Sequence, residues 1–173
     1  MAIDWEALAR DIGGLEPDGR ERIVGTSGGQ RALELLIGEE NLRDSVDYWV
    51  AQKPGCFTAE MVLAILKSKA AMERCYEIFK SAPDSEARNA AVFLLGAICN
   101  EQALPWVGEF LADKDPIIPL NGLAVLSRIL YGPLSDRDYE TAASLVELAE
   151  AHHHEETRKR AERLRSQLQK NSR

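Results

Sequence analysis

A single stretch, residues 84–99 (DSEARNAAVFLLGAIC), places the strongest constraint on how this chain can fold. It opens with Asp84 and Ser85, two residue types that commonly start helices, and then becomes apolar on nearly every side. A helix that is apolar all round cannot lie on a protein surface, because part of its apolar area would stay in water. The sequence therefore predicts that this helix is sandwiched between the helices before and after it.

A related segment recurs 31 residues downstream. Residues of the same kind fall on one another, as in the pairs Asp84/Asp115, Leu95/Leu126, Ile98/Ile129 and Phe79/Phe110. A fixed period of this size indicates a stacked repeat in which each unit is one pair of helices.

Apolar residues at helical spacing predict further helices along the whole chain, and no segment shows the alternation of a strand. The predicted helices span residues 3–12, 30–38, 41–52, 59–67, 69–81, 85–99, a segment that ends at 113, 117–130, a segment that ends at about 151, and 155–170. In the second helix we expect Leu33, Leu36 and Ile37 to face inward. Residues 13–29 are rich in glycine and are predicted to be irregular.

Four helix starts are predicted from cap residues. The expected caps are Thr26 or Ser27, Thr58, Ser68, and Ser135 or Asp136. The three consecutive histidines, 152–154, are predicted to form the turn before the last helix.

Several motifs resemble the HEAT-like helical repeat family. The segment ALPWVGEFLAD followed by KDP (103–116) is similar to a first helix and turn, and PDSEARNAAVFLLGAI (83–98) and HHEETRKRAERL (153–164) are similar to second helices. The resemblance covers roughly residues 40–170. It implies an all-α fold, a right-handed α-solenoid of about four antiparallel helix pairs. Residues 1–38 lie outside it and are predicted to be an N-terminal cap that forms one compact domain with the array, 39–173.

One departure from the family concerns the charged ladder between turns. Members usually carry an Asp six residues before the Arg of a second helix. Here Ala82 holds that position before Arg88, and Pro119 follows Asp113 at the same spacing. A regular ladder is therefore not expected.

Charge and composition narrow the classes of partner. Residues 155–173 carry a net charge of +4 and residues 1–154 carry −11, which together give the net charge of −7. An acidic body repels nucleic acid and anionic membranes and attracts a basic partner. Residues 1–11 lack the apolar core of a secretory signal, and no apolar run reaches the ~20 residues of a membrane span. Three cysteines without CxxC spacing favour reduced thiols, and hence a cytoplasmic protein.

No catalytic constellation is found. Cys75 and Cys99 lie in apolar helical segments, which is typical of small buried hydrophobic residues. Three successive histidines do not share a helix face, so they cannot converge on one metal. We therefore predict no catalytic residue, no metal site and no cofactor.

The candidate binding surface is the second face of the two apolar helices, which is unusually apolar for solvent. We predict that its partner-binding residues are Asn89, Val92, Phe93, Leu120, Leu123 and Ser127. In HEAT-like solenoids the second helices line the concave side, so the resemblance implies a groove there. The alternative is that the N-terminal segment or neighbouring loops cover this face. Tyr48, Trp49 and Trp106 are further candidates, although aromatic residues at helical spacing are more often part of a core.

The sequence thus favours a non-enzymatic, cytoplasmic protein-binding module whose partner is a basic or neutral protein. The resemblance suggests an adaptor, or an inhibitor such as an immunity protein that neutralises a cognate toxin. Two alternatives stay open. The first is a HEAT-like bilin lyase, which would bind a tetrapyrrole in the groove. The second is a HEAT-like nucleic-acid-binding protein such as the DNA glycosylases of that architecture, which the acidic charge disfavours.

Overall fold

The computed structural model describes the backbone of residues 3–171 and the side chains of residues 3–168. This part of the chain is all-α, as predicted, and its only strand-like feature is an isolated bridge between Leu15 and Glu21. The helices are α1 (Trp5–Asp11), α2 (Gly25–Ile37), α3 (Glu39–Val50), α4 (Cys56–Leu66), α5 (Lys69–Ser81), α6 (Ser85–Ile98), α7 (Leu104–Leu111), α8 (Ile117–Ile129), α9 (Asp136–Glu150) and α10 (Glu155–Asn171).

Helix α6 is sandwiched, as its composition predicts. Asp84 caps it by accepting hydrogen bonds from the backbone N–H groups of Glu86 and Ala87. The helix then packs against α5, its partner in the pair, and against α4 and α8 on its two flanks. Leu94 and Ile98 are completely buried among these helices.

The same arrangement extends along the chain and makes the molecule an α-solenoid. Consecutive helices pack as the pairs α3/α4, α5/α6, α7/α8 and α9/α10. The second helices α4, α6, α8 and α10 are successive neighbours in one row, while the first helices α3, α5, α7 and α9 form the other row. The number of repeats, the handedness and the division at residue 38 stay predictions.

Ion pairs and rings join the first helices. Arg74 of α5 binds both carboxylate oxygens of Asp47 in α3, at 2.9 and 3.1 Å. This hydrogen-bonded pairing is the main reason that the pKa of Arg74 is raised. Between α5 and α7, the rings of Tyr76 and Trp106 stack with their centroids 4.8 Å apart. Because stacked rings fix both distance and orientation, they set how neighbouring pairs align.

One rung of the family's charged ladder is present, although the residue spacing within one repeat does not reveal it. Arg88 at the start of α6 forms an ion pair with Asp113, which lies in the turn of the following repeat. The next residue, Asn89, donates to the Oδ2 atom of Asp115 at 3.1 Å. Both side chains of the Arg88–Asp113 pair are largely shielded from water, which strengthens the interaction relative to an exposed pair.

Two predicted cap positions are wrong at the glycine-rich start of the chain. Helix α2 begins at Gly25 rather than Gln30, so Thr26 and Ser27 lie inside the helix and do not cap it. The side chain of Val24 covers Gly28 so closely that a Cβ there would lie 2.2 Å from a Val24 methyl carbon. The glycine therefore allows the chain to fold tightly into the helix at this point.

Other expectations about the early helices are also corrected. Thr58 lies within α4, which starts after Gly55, a residue in the left-handed region with φ of 92°. Ser68 precedes α5 as predicted but makes no side-chain capping bond. In α2, Leu33 and Leu36 are 47% and 41% exposed instead of facing inward, because α2 packs on the array along a narrow contact. By contrast, Ser135 caps α9 as predicted.

Leu94→Ala is expected to lower the free energy of unfolding by about 2–5 kcal/mol, because it leaves a cavity in the middle of the stack. Leu148→Ala, at a position that is 52% exposed, is the matched control and should cost less than about 1 kcal/mol. Urea unfolding would measure both values. Equal midpoints for the two variants would contradict the proposed core.

Two glycines in the second helices should respond oppositely to alanine. A Cβ at Gly122 of α8 would lie 2.7 Å from the Cβ of Phe110, an atom that cannot move without its backbone. Gly122→Ala should therefore destabilise the fold by about 1–3 kcal/mol. At Gly96 the same atom would meet Val125 at an ordinary 3.8 Å, so Gly96→Ala should be neutral or stabilise by up to about 1 kcal/mol. Thermal unfolding tests the pair, and a stabilised Gly122→Ala variant would contradict the close packing of α7 on α8.

Candidate protein-binding surface

The second helices α6 and α8 each present one row of residues to solvent. On α6 this row runs through Asn89 and Phe93, and on α8 it runs through Leu120, Ala124 and Ser127. Phe93 is 57% exposed, and Asn89, Leu120 and Ser127 are partly exposed. These four predicted residues therefore do lie on one accessible side of the row of second helices.

The other two predicted residues do not face solvent. Val92 is completely buried and Leu123 is 2% exposed. They are equivalent positions in successive repeats, and each lies one residue beside its solvent row, where the helix turns its side chain toward a neighbouring helix. The prediction that they face solvent is wrong, since contact with a partner would require them to leave the core.

Phe93 borders a groove of about 580 Å³. Its ring stacks on that of Trp49, with centroids 6.0 Å apart and planes 9° from parallel. Ala87 and Ala90 line the groove as small side chains, and Asp84 and Glu86 also line it. No Lys or Arg is among the described residues that line it, so the groove is acidic as well as partly apolar.

A further exposed apolar area lies on α4, a helix that the sequence predicts to be apolar on most faces. We name its four exposed side chains, Phe57, Met61, Val62 and Ile65, the α4 patch; they are exposed by 71%, 67%, 43% and 62%. Composition is the feature of the sequence that points to this patch, because α4 contains a single charged residue, Glu60. The sequence shows that α4 lacks a polar face, but not which side lacks a neighbour.

The N-terminal segment leaves this patch uncovered. Helix α2 reaches the end of α4, where the side-chain N–H of Gln30 donates to the backbone carbonyl of Ile65 at 2.6 Å. This hydrogen bond uses only the backbone of Ile65, and Ile65 stays 62% exposed. The N-terminal segment therefore leaves this side of α4 in water, and on α6 the 57% exposure of Phe93 shows that it does not cover that ring either.

The other end of the row is polar. A groove of about 390 Å³ between α8 and α10 is lined by Ala124 and Ser127 on one side and by Glu156, Arg160 and Arg163 on the other. The second-helix surface thus changes from apolar at α4 to charged at α10.

The aromatic candidates on the first helices are mainly structural. Trp49 is 4% exposed, and Trp106 packs against the core. Tyr48 is 37% exposed, and its hydroxyl donates to the carbonyl of Pro54, so it fixes the turn that follows α3.

The three cysteines are buried, and their environment does not favour a reactive thiolate. Cys56, Cys75 and Cys99 are free thiols in the core, and the sequence predicts this burial for Cys75 and Cys99. Burial is the main cause that raises the pKa of Cys99 to about 11, and it raises the pKa of Cys75 further. Because the thiolate is the nucleophile, neither of these two thiols is prepared for catalysis.

The histidines form the predicted turn between α9 and α10. Arg158 donates to the backbone carbonyls of His152 and His153, at 2.9 Å each. The rings of His152 and His153 lie 4.2 Å apart, and partial burial lowers the pKa of His152. Within the part of the chain that the structure describes, no three His, Cys, Asp or Glu side chains are grouped so that they could hold a metal ion.

No helix among the described residues combines the length and the apolar character that a membrane crossing requires.

Comparison with known proteins adds one match. A sequence model of HEAT repeats matches residues 72–165, which is more than half of the chain. No curated protein and no solved structure shows significant similarity.

In the native protein, the cysteines should resist alkylation. With a pKa of about 11, Cys99 is thiolate in only about a thousandth of molecules at pH 8, and burial further blocks access. We expect iodoacetamide to label all three thiols at least about 100-fold more slowly than in urea-unfolded chain, as measured by mass spectrometry. One cysteine that reacts at the unfolded rate would show that the core around it is open.

Proposed function

This chain belongs to the HEAT-repeat family, and from that premise we propose that it is a non-enzymatic module that binds one protein partner on its second helices. HEAT repeats are generally protein-interaction scaffolds. The proposed surface is the exposed row of α6 and α8, formed by Asn89, Phe93, Leu120 and Ser127.

The observation that carries the proposal is the exposed ring of Phe93. More than half of this residue is exposed to water, although neighbours on the same helix such as Val92 and Leu94 are completely buried. Stacking on Trp49 holds the ring in place, so little side-chain entropy is lost when a partner covers it. Pre-ordered aromatic side chains of this kind are typical of the residues that dominate binding energy.

Charge supports a basic partner. The body of the chain carries −11 over residues 1–154, and Asp84 and Glu86 line the groove beside Phe93. Such a field accelerates the approach of a basic protein and slows that of an acidic one or of nucleic acid.

We propose two concrete forms of this function, both in the cytoplasm. In the first, the chain is an adaptor that joins its partner to another protein. In the second, it is an inhibitor that covers a basic enzyme, in the manner of an immunity protein against a toxin. The same surface and the same charge serve either form.

The test is a comparison of partners captured by three resin-bound proteins from a lysate of the organism that encodes the chain. The proteins are the unchanged chain, a Phe93→Asp, Leu120→Asp variant, and a Leu148→Asp variant as control. Leu148 is 52% exposed on α9, a first helix, so the control introduces an aspartate away from the proposed surface. Circular dichroism would verify that all three are folded.

We expect one basic or neutral protein to be retained in a near-stoichiometric amount by the unchanged chain and the control. The double variant should lose it, because each aspartate adds a charge to an apolar contact and leaves it unpaired. Retention of the same protein by all three would show that the row of α6 and α8 is not the binding surface. Capture of no protein by the unchanged chain would contradict the proposed function.

A further inference from the structure

We propose that the α4 patch, together with Phe93, receives an amphipathic helix of the partner protein, and that the polar flank of this helix is basic. This inference rests on the proposed function. It specifies which kind of partner segment binds and where on the second helices it binds.

The α4 patch is a continuous apolar area of functional size. Its four side chains are 43–71% exposed, which leaves on the order of 400 Å² of apolar surface in water. Patches of this size on single chains are often sites of interaction, because leaving them in water costs hydrophobic free energy. Helix α4 has α6 on one flank, α3 behind it and α2 along a narrow contact that includes the Gln30 hydrogen bond, and the four side chains of the patch still stay 43–71% exposed among the described residues.

The shape of the patch fits a helix better than an extended peptide. Phe57, Met61 and Ile65 follow one another at spacings of four residues and form a ridge along α4. Ridges of this spacing pack into the grooves of another helix. An extended segment that binds by strand addition would need an unpaired strand edge, and the described part of the chain offers none.

Trp49 joins the α4 patch to Phe93. Its indole N–H donates to the carboxylate of Glu60 in α4 at 2.9 Å, while its ring stacks on Phe93 of α6. A buried residue of α3 thus contacts both α4 and Phe93. In the proposed complex, the partner helix runs from the α4 patch to Phe93.

Charge complementarity decides which kind of helix fits. Asp84 and Glu86 line the groove beside Phe93, and Glu60 is the single charged residue of α4. Lys67 follows the C-terminal end of α4 and would repel a basic side chain there. The basic residues of the partner helix should therefore lie beside α6, next to the acidic groove. A second copy of this chain would bring another acidic body of −11 to the same place, which electrostatic repulsion opposes.

The experiment uses two fluorescent peptides of about 18 residues, a length that sustains a helix, with leucine at helical spacing. One carries lysine at the remaining positions, and the other carries glutamate. Fluorescence anisotropy measures their binding to the full chain, to a Met61→Asp variant and to the Leu148→Asp control. Met61 is 67% exposed, so its replacement leaves the core intact, and circular dichroism would verify the fold.

We expect the leucine/lysine peptide to bind the unchanged chain and the control equally, and the Met61→Asp variant at least ten-fold more weakly. The added aspartate would increase a purely electrostatic attraction, so weaker binding identifies an apolar contact. The leucine/glutamate peptide should not bind. Equal or tighter binding of the leucine/lysine peptide to Met61→Asp would overturn the inference, as would tight binding of the glutamate peptide. Sedimentation that shows a dimer which Met61→Asp dissociates would assign the α4 patch to a second copy instead.

The lysate capture separates this inference from the proposed function. If Met61→Asp retains the natural partner while the Phe93→Asp, Leu120→Asp variant loses it, the chain is a binding module but the α4 patch is not part of its site. If the unchanged chain binds no protein and no peptide, both fail. Loss of the natural partner on Met61→Asp, together with the peptide result, supports both.

Discussion

The burial of α6 between α4, α5 and α8 is the interaction on which the rest of this structure depends. Leu94 and Ile98 have no contact with water, and no single neighbouring helix could cover the apolar surface of α6. Each pair of helices must therefore have a pair on either side, and the chain grows in one direction as a solenoid. The ion pair of Arg88 with Asp113 and the stacked rings of Tyr76 and Trp106 then set how successive pairs align. In the described stack, each terminal pair has a neighbour on one side only, so its apolar surface must be covered in another way.

The outer helices of the described stack cover their apolar surface to different extents. At the C-terminal end, α10 buries Ala161, Leu164 and Leu168 and presents charged side chains such as Arg160 and Arg163 beside α8. At the N-terminal end, α2 lies against α3 and α4 along a narrow contact and leaves Met61 and Phe57 in water. The energetics that place α6 in the core thus leave an incomplete helical layer at α4. In this account, a partner helix completes that layer. The need of an apolar helix for neighbours, which produces the fold, would then also drive binding.

Most of the fold could be predicted from the sequence, but the binding surface only in part. Helix positions follow from apolar spacing and from caps such as Asp84 and Ser135, which act locally. The orientation of an all-apolar helix has no such local signal, because no polar face marks the solvent side. Val92 and Leu123 were therefore placed on the wrong side, and the repeat carried the same error from one helix to the next. The Arg88–Asp113 pair joins residues 25 positions apart in different repeats, so only packing reveals it.

The most direct test of this account is methionine oxidation, since the completion of the α4 layer by a partner helix requires that α4 is open to solvent. Met61 is 67% exposed on α4, whereas Met72 is completely buried in α5. Hydrogen peroxide converts an accessible methionine to its sulfoxide, and peptide mass spectrometry gives the rate at each position. The account predicts that Met61 oxidises at nearly the rate found in the unfolded chain and that Met72 oxidises at least about ten-fold more slowly. If Met61 is protected as strongly as Met72, another part of the molecule or a second copy covers α4, and the central claim is wrong.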